Sequence, residues 1–190
     1  MNNQDNLTNV AADITRNMNY KKHAEKLFVP ILNGFQVEND NNPQTILLAS
    51  GNGFTEQLIS DGYIEDGQFD QRIELVIKNT KEFMKNNNCE NVDNSFIFYK
   101  DYNNGIFNFK IYVQDLIIPN QNEKKVIRTF NAYFVEPKMH DFYQFSLGAG
   151  PFAMPTEQLK IGTIDLQNDQ ITIALNNMMT TLLDNLKYNN

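Results

Sequence analysis

Residues 103–114 read NNGIFNFKIYVQ, and apolar side chains occupy every second position from Phe107 to Val113. Successive side chains of a strand point to opposite faces of a sheet, so this alternation predicts a strand with one buried face. The run SFIFYKDY (95–102) precedes the Asn104-Gly105 pair. Asn-Gly between two such runs is a strong signal for a hairpin. The stretch therefore predicts a hairpin within an antiparallel sheet.

Two further runs extend this pattern along the chain. PNQNEKK (119–125) predicts a turn, and VIRTFNAYFV (126–135) predicts the next strand. EPKM (136–139) predicts another turn before HDFYQFSLG (140–148), a fourth strand. Residues 95–148 are thus predicted to form a four-stranded antiparallel meander, in which each strand pairs with the one before it.

Helices are predicted on both sides of the meander in sequence. Apolar residues recur at helical spacing over 69–85 and again over 168–187, where Asn168 or Asp169 is suited to cap the helix. The broad apolar stripe of the second helix requires burial, and the sheet is the available surface. We predict an α+β fold: an antiparallel meander of four or more strands packed against helices, including a long C-terminal helix.

The first third of the chain gives weaker signals. Spacings of three and four over residues 5–27 predict one or two helices, QTILLAS (44–50) predicts a buried strand, and FTEQLISDGYI (54–64) predicts one or two helical turns. The 190 residues fit one domain. We predict a single domain over 1–190, made of an N-terminal helical extension (1–27) and a sheet-and-helix core (28–190).

Charge and composition narrow the function classes. The net charge is −7, and acidic residues crowd positions 38–74 around Arg72, so a nucleic acid would be repelled. Cys89 is the single cysteine, which excludes a disulfide within the chain. The first ten residues have no signal-peptide pattern, and no apolar run approaches the ~20 residues that span a bilayer. We expect a cytoplasmic protein without membrane insertion.

The Gly148-Ala149-Gly150 sequence follows an apolar run, as a phosphate-binding loop does. Such a loop needs a helix that begins at once, whereas Pro151 and Pro155 follow here. We therefore predict a chain reversal, with Phe152 and Met154 packed at the end of the sheet or lining a groove. No cofactor is predicted.

Candidate catalytic residues are few. His140-Asp141 could supply a general base, but no nucleophile motif accompanies the pair, and FSLG (145–148) is not a nucleophile elbow. One cysteine and two separated histidines do not make a usual metal site. The sequence predicts no catalytic residue and no metal, and a plain turn histidine is the favoured interpretation of His140.

The aromatic residues are the feature of the sequence that most strongly suggests a function. We expect one set to share the core face of the meander: Phe96, Phe98, Phe107, Phe109, Phe130 and Phe134. A second aromatic set is expected to point elsewhere. A sheet with apolar residues on both faces has both covered or keeps one for a partner. The predicted partner-binding residues are Tyr99, Tyr112, Tyr133, Tyr143, Phe145, Phe152 and Met154.

The order of elements resembles the PsbP/DcrB-like α/β/α sandwich over about residues 28–187. FVPILNGF (28–35) is similar to the family's lead into its first strand, FDQRIELVIKNTKEFMK (69–85) to its crossover helix, YNNGIFNFKIYV and KKVIRTFNAYFV to its central hairpin, and NDQITIALNNMMTTLLDNL to its closing helix. The resemblance implies a noncatalytic module. Family members serve as accessory subunits, and the related Eag proteins are chaperones that shield apolar segments of secreted effectors.

Three function hypotheses follow. The first is a noncatalytic cytoplasmic binding protein, such as a chaperone or adaptor for a protein partner, with a homodimer also allowed. The second is a carrier of a small molecule or lipid, with an apolar pocket between sheet and helix. The third is a hydrolase that uses His140 and Asp141.

Overall fold

A computed structural model describes residues 10–118, 124–153 and 169–189 of this chain. The strands are β1 (Asn19–His23), β2 (Leu27–Ile31), β3 (Gln36–Val37), β4 (Thr45–Gly51), β5 (Phe54–Tyr63), β6 (Phe96–Asn103), β7 (Asn108–Ile118), β8 (Lys125–Val135), β9 (Asp141–Ala153) and β10 (Lys187–Tyr188). The helices are α1 (Phe69–Asn86) and α2 (Gln170–Asn185), with a 3₁₀ turn at Val92–Asn94. Residues 10–14 are also helical.

A seven-stranded antiparallel sheet has the order β3-β4-β5-β9-β8-β7-β6. Strands β6 to β9 are the predicted meander, and each pairs with its neighbour in sequence. β5 returns beside β9 and adds β4 and β3 to that side. The α+β prediction is confirmed, as are the helices predicted over 69–85 and 168–187.

Helices α1 and α2 cover opposite faces of the seven-stranded sheet. Phe109, Ile111 and Val113 of β7 lie in a large buried core with residues of β8 and β9. The apolar stripe of α2 closes that core through Leu175, Met178, Met179, Leu182 and Leu183, all without exposed surface. The predicted burial of α2 against the sheet is thereby confirmed.

Helix α1 packs on the other face through a smaller core. Ile64 and Ile73 contact Tyr133 and Phe142 there, and the Phe69 ring lies 5.9 Å from that of Phe142. The sheet is therefore covered on both faces.

A second, three-stranded sheet has the order β1-β2-β10. Leu27, Val29 and Ile31 of β2 belong to the large core. β10 follows α2 directly and pairs with β2, so this small sheet joins the two ends of the described chain. It lies at one end of the fold and forms one side of the cavity described below.

Two predictions for the first third of the chain are wrong. Residues 19–23, placed in an N-terminal helix, form strand β1 and pair with β2. Residues 54–64, expected to hold helical turns, contain the ten-residue strand β5. The inward positions of β5 are Phe54, Glu56 and Leu58. A charged residue at the middle inward position hid the alternation, because Phe54 and Leu58 alone also fit a helical spacing of four.

The N-terminus of α2 is fixed by a buried ion cluster. Asp169, one of the two predicted caps, accepts hydrogen bonds from the Thr172 amide at 2.8 Å and the Thr172 hydroxyl at 2.7 Å. Arg128 of β8 donates to the same carboxylate at 2.8 Å and makes two bonds to Asp115 of β7. The cap thus ties the helix to the sheet.

Candidate functional site

The predicted partner-binding residues divide between the two faces. Tyr143 and Phe145 are buried in the large core, and Tyr99 packs against that core with its ring 5.1 Å from Phe130. Tyr112 and Tyr133 lie on the face that α1 covers. The expectation that these aromatics form one set apart from the core is therefore wrong. The register explains the error, because Phe134 lies opposite Tyr143 in the β8–β9 pair and so shares its face.

The expected core set is wrong at two positions. Phe107, Phe109, Phe130 and Phe134 are buried in the large core as predicted. Phe98, however, lies opposite Tyr112, and the two ring centroids are 5.4 Å apart. Phe96, two residues earlier, lies on the same face of the sheet as Phe98. A bulge between Phe98 and Lys100 changes the phase of β6, which a simple alternation does not anticipate.

Two further predicted residues follow Gly150. β9 continues through Phe152, which pairs with Val126, but its side chain lies outside the described residues. Met154 also lies outside them. A contact between either side chain and a partner remains a prediction.

The adjacent pair His140-Asp141 does not act as one unit. His140 has φ +55°, and its Nδ1 lies 3.1 Å from the Asp66 carboxylate. Asp141 begins β9 and lines a cavity that His140 does not reach. The structure brings a different histidine, His23, close to Asp141, as the electrostatic effect between them shows.

This cavity, which we call the end pocket, has a volume of about 230 Å³. It lies at the end of the large sheet, between the β1–β2 hairpin, the turn that joins β8 to β9, and β10. Its lining combines apolar and polar side chains: His23, Ala24, Lys26, Leu27, Glu136, Met139, Asp141, Tyr143 and Tyr188. Three separate parts of the chain therefore meet at one concave site.

Glu136 is a buried residue in the wall of the end pocket, and its carboxylate accepts several hydrogen bonds. Its side chain is 3% exposed. It accepts hydrogen bonds from the Tyr188 hydroxyl and from the amides of Lys138 and Met139. Burial alone would raise the pKa of Glu136, but these hydrogen bonds and nearby Lys26 outweigh burial and lower that pKa. The carboxylate stays ionised and holds the turn in place.

Among the described residues, no hydrogen bond or salt bridge is made by four polar side chains of the end pocket: His23, Lys26, Asp141 and Tyr143. Tyr143 is 3% exposed, and its hydroxyl makes no hydrogen bond to any described residue. The half-buried Asp141 carboxylate forms neither a hydrogen bond nor a salt bridge within the same ranges. Burial and the nearby Asp141 charge raise the pKa of Tyr143 to about 12. A hydroxyl and a carboxylate are thus available to a ligand at the same place.

The histidine of the end pocket favours its neutral form. Burial lowers the pKa of His23, and Lys21 contributes in the same direction, while Asp141 opposes them. The His23 ring meets the Tyr143 ring edge-on at 6.4 Å, and Tyr143 stacks on Phe134 at 5.2 Å. These contacts fix the ring that carries the free hydroxyl.

Large apolar side chains are exposed around the mouth of the end pocket. Met139 lines the pocket and is 61% exposed. Tyr63 is 63% exposed and pairs across β5 and β9 with Asp141, which lines the pocket. Exposed aromatic and Met side chains next to a concave site are typical of protein-binding surfaces.

The described lining of the end pocket offers no ready nucleophile. It contains no Ser, Thr or Cys among the described residues. Its hydroxyls are those of tyrosines whose pKa values are raised to about 12, by burial for Tyr143 and by the bond to Glu136 for Tyr188, so neither supplies a ready nucleophile.

Two negative findings apply to the described ranges. No group of three His, Cys, Asp or Glu side chains in those ranges is arranged to hold a metal ion. Neither described long helix has the length and apolar character needed to cross a bilayer.

Sequence reasoning singled out only Tyr143 and Asp141 of this site. His23, Lys26, Glu136 and Tyr188 come from positions far apart in sequence and carry no motif. The alternation that revealed the strands says nothing about which strand ends meet, so no local signal could have assembled this group.

Comparisons with known proteins identify the fold but no family. No family model and no curated protein sequence matches this chain. A solved structure titled "Protein Mog1 E65A mutant" is similar, with a TM-score of 0.56 over 91% of this chain and 95% of that chain, at 6% sequence identity. At that identity the likeness extends to the fold alone.

Proposed function

We propose that this chain is a noncatalytic binding protein that receives a side chain of a protein partner in the end pocket. The observation that carries the proposal is the free Tyr143 hydroxyl in a cavity whose mouth exposes Met139. This hydroxyl lines the cavity and makes no hydrogen bond to a described residue, so it is available to a ligand. The exposed apolar mouth indicates that the ligand is attached to a larger surface.

The size of the end pocket supports a single side chain as its occupant. Pockets for drug-sized ligands enclose about 300–1,000 Å³, and this one has about 230 Å³. The similar fold titled Mog1 is compatible with a compact module of this kind. A chaperone or adaptor role would use such a pocket as an anchor, and the resemblance to PsbP/DcrB-like accessory proteins points in the same direction.

No specific observation favours either of the two alternative functions, the carrier or the hydrolase. A carrier with its ligand between sheet and helix needs space where Leu175, Met178 and Leu182 are fully buried. A hydrolase based on His140 and Asp141 needs two side chains that contact different neighbours. Assembly of the chain into a homodimer remains a prediction, which light scattering of the purified protein would test.

Quantitative crosslinking in the native host tests the proposal. Wild-type chain, Met139→Asp and the control Phe83→Asp would each be purified after crosslinking, and the captured proteins compared by mass spectrometry. Phe83 is also an exposed large apolar residue, at 64%, but lies in the last turn of α1, on the other face of the sheet.

We expect Met139→Asp to reduce recovery of a specific partner by about tenfold, the effect of losing one anchor contact, while Phe83→Asp retains it. Equal thermal stability of both variants would show that they fold. If every captured protein is recovered equally with Met139→Asp and wild type, the proposal is wrong.

A further inference from the structure

We infer that the partner's side chain in the end pocket is cationic, a lysine ammonium or an arginine guanidinium, with Asp141 as its counterion. This inference rests on the proposed function and specifies the chemistry of the partner. It follows from which polar atoms of the pocket are free, from how its charges balance, and from the aromatic rings that bound it.

Two of the free polar groups of the end pocket can accept hydrogen bonds from a ligand. The Asp141 carboxylate can only accept hydrogen bonds, and the Tyr143 hydroxyl can accept as well as donate. Lysine and arginine side chains are the donors without acceptor capacity, and their bonds to a carboxylate are among the strongest in proteins. A cationic side chain would therefore satisfy both free groups.

The charges of the end pocket favour the same occupant. Lys26 lines the pocket together with two carboxylates, Glu136 and Asp141, and its charge lowers the pKa of Glu136. His23, the other basic side chain, favours its neutral form. The described lining therefore carries one more negative than positive charge, and the Asp141 carboxylate, which has no salt bridge to a described residue, lies near the Tyr143 hydroxyl.

Two tyrosine rings bound the cavity and suit a cation. Tyr143 and Tyr188 both line it, and each is held by another ring, Phe134 at 5.2 Å and Phe107 at 6.0 Å. A cation within about 6 Å of an aromatic ring face gains roughly 0.5–2 kcal/mol. A rigid aromatic wall also lowers the ordering cost of binding.

Other occupants fit less well. An apolar side chain would cover Asp141 and leave its charge without a partner, which is costly. An acidic side chain would be repelled by Asp141 and Glu136. These two occupants serve as the alternatives that the experiment separates from a cation.

NMR titration of the ¹⁵N-labelled chain tests the inference with defined probes. The cationic probes are N-acetyl-arginine amide and N-acetyl-lysine amide, and the neutral probe is N-acetyl-norleucine amide, which matches lysine in its apolar stem. We expect the cationic probes to shift the amides of residues 23–27, 136–141 and 187–189, with a much smaller effect of the neutral probe.

Two variants assign the contacts. Asp141→Asn should weaken binding of the cationic probes about tenfold, the size of a lost charge-assisted hydrogen bond. Asp101→Asn, which removes the same charge from an exposed site on β6, should leave binding of the cationic probes unchanged. Tyr143→Phe should weaken binding by a smaller factor without lowering the free energy of unfolding, because the hydroxyl has no described partner to lose.

The inference is overturned if the norleucine probe binds as well as the cations, if no cationic probe shifts these amides, or if Asp141→Asn binds like wild type. Partner capture that depends on Met139, combined with any of these results, would leave the proposed function standing and remove only the cation. Binding of cationic probes without any Met139-dependent partner would instead remove the protein partner and identify a site for small organic cations.

Discussion

Arg128 lies on the core face of β8 with no exposed surface, and its guanidinium makes two bonds to Asp115 and one to Asp169. Thr172 accepts a further bond at 2.9 Å. Every charge in this cluster has a partner, which is the condition under which a buried ion group is tolerated. The cluster joins β7, β8 and the first turn of α2.

Removal of this guanidinium should be strongly destabilising. Arg128→Met leaves two carboxylates without their base in a buried place, so we expect the free energy of unfolding to fall by about 3–5 kcal/mol in urea denaturation. Arg72→Met is the matched control, because Arg72 pairs with Asp61 at 2.8 Å but both side chains are partly exposed. Its loss should be about 1 kcal/mol or less. Similar losses for both variants would contradict the role assigned to the cluster.

Glu56 presents the opposite situation on β5. Its side chain has no exposed surface, one oxygen accepts the Leu32 amide at 3.1 Å, and the other finds no partner among the described residues. Burial raises the pKa of Glu56 from 4.5 to about 8, although the bond from Leu32 opposes this. The folded protein therefore holds Glu56 protonated at neutral pH.

This raised pKa predicts a pH dependence of stability. The unfolded chain releases the proton near pH 4.5 and the folded chain near pH 8, so the stabilising effect is complete below the lower value and is lost as pH rises to the upper one. We expect the free energy of unfolding to fall by on the order of 3 kcal/mol between about pH 5 and 8. Urea denaturation of Glu56→Gln should lack this decline, since glutamine does not titrate.

Glu82→Gln provides the control, because Glu82 is exposed on α1. Its pH profile should match that of the wild type. A decline of equal size in Glu56→Gln would show that another group is responsible.

At the scale of elements, the β6–β7 turn depends on one asparagine more than on the Asn-Gly pair as such. The Asn104 carboxamide oxygen accepts the amides of Ile106 at 2.9 Å and Phe107 at 2.8 Å, and its nitrogen donates to the Leu183 carbonyl at 2.6 Å. Gly105 has φ +86°, which side chains rarely adopt. The turn is thereby attached to the last part of α2.

Asn104→Ala should cost about 2–3 kcal/mol of unfolding free energy, because three hydrogen bonds of about 1 kcal/mol each are lost. Asn177→Ala is the comparison, since Asn177 is exposed on α2 and alanine favours a helix. Chemical denaturation of both proteins measures the difference. A loss no greater than that of Asn177→Ala would mean that the contact with α2 contributes nothing.

The sequence predicted those elements that begin with a run of apolar inward positions. β7 is such a strand, because Phe109, Ile111 and Val113 point into the large core before the charged Asp115 takes the next inward position. β5 was missed because Glu56 occupies an inward position. β1 was missed because its first four residues are exposed, so no alternation marks it. Backbone pairing with the neighbouring β2 makes that segment a strand, and the pattern of its side chains does not reveal this pairing.

At the scale of the whole molecule, the end pocket belongs to the larger of the two cores. Tyr143, Leu27 and Tyr188 contribute both to its lining and to the core beneath α2. Sequence analysis could identify Tyr143 as an aromatic strand residue but not its neighbours, because closure of the fold brings β10 and the β1–β2 hairpin to the end of β9. The pocket is formed by the same contacts that stabilise the sheet, so it is preorganised for a ligand.

The two cores should differ in local stability. α2 buries seven residues against the sheet, whereas α1 buries Ile73 and Met84. Regions with few buried apolar contacts open locally at lower free energy than the whole fold. We expect native-state hydrogen exchange to give amides near Leu175 and Met179 a free energy of opening close to that of global unfolding, with interior amides of α1 clearly lower.

Addition of low concentrations of urea separates the two modes of opening, since the dependence on denaturant follows the surface that is exposed. α2 and the central amides of β8 should share one steep dependence, while α1 should show a shallower one. Amides of residues 136–143, which include Glu136 and Tyr143 of the end pocket, should follow α2 because that part of the chain packs in the larger core. If they instead open with α1, the pocket is not preorganised, and the low ordering cost on which its affinity for a partner depends would be lost.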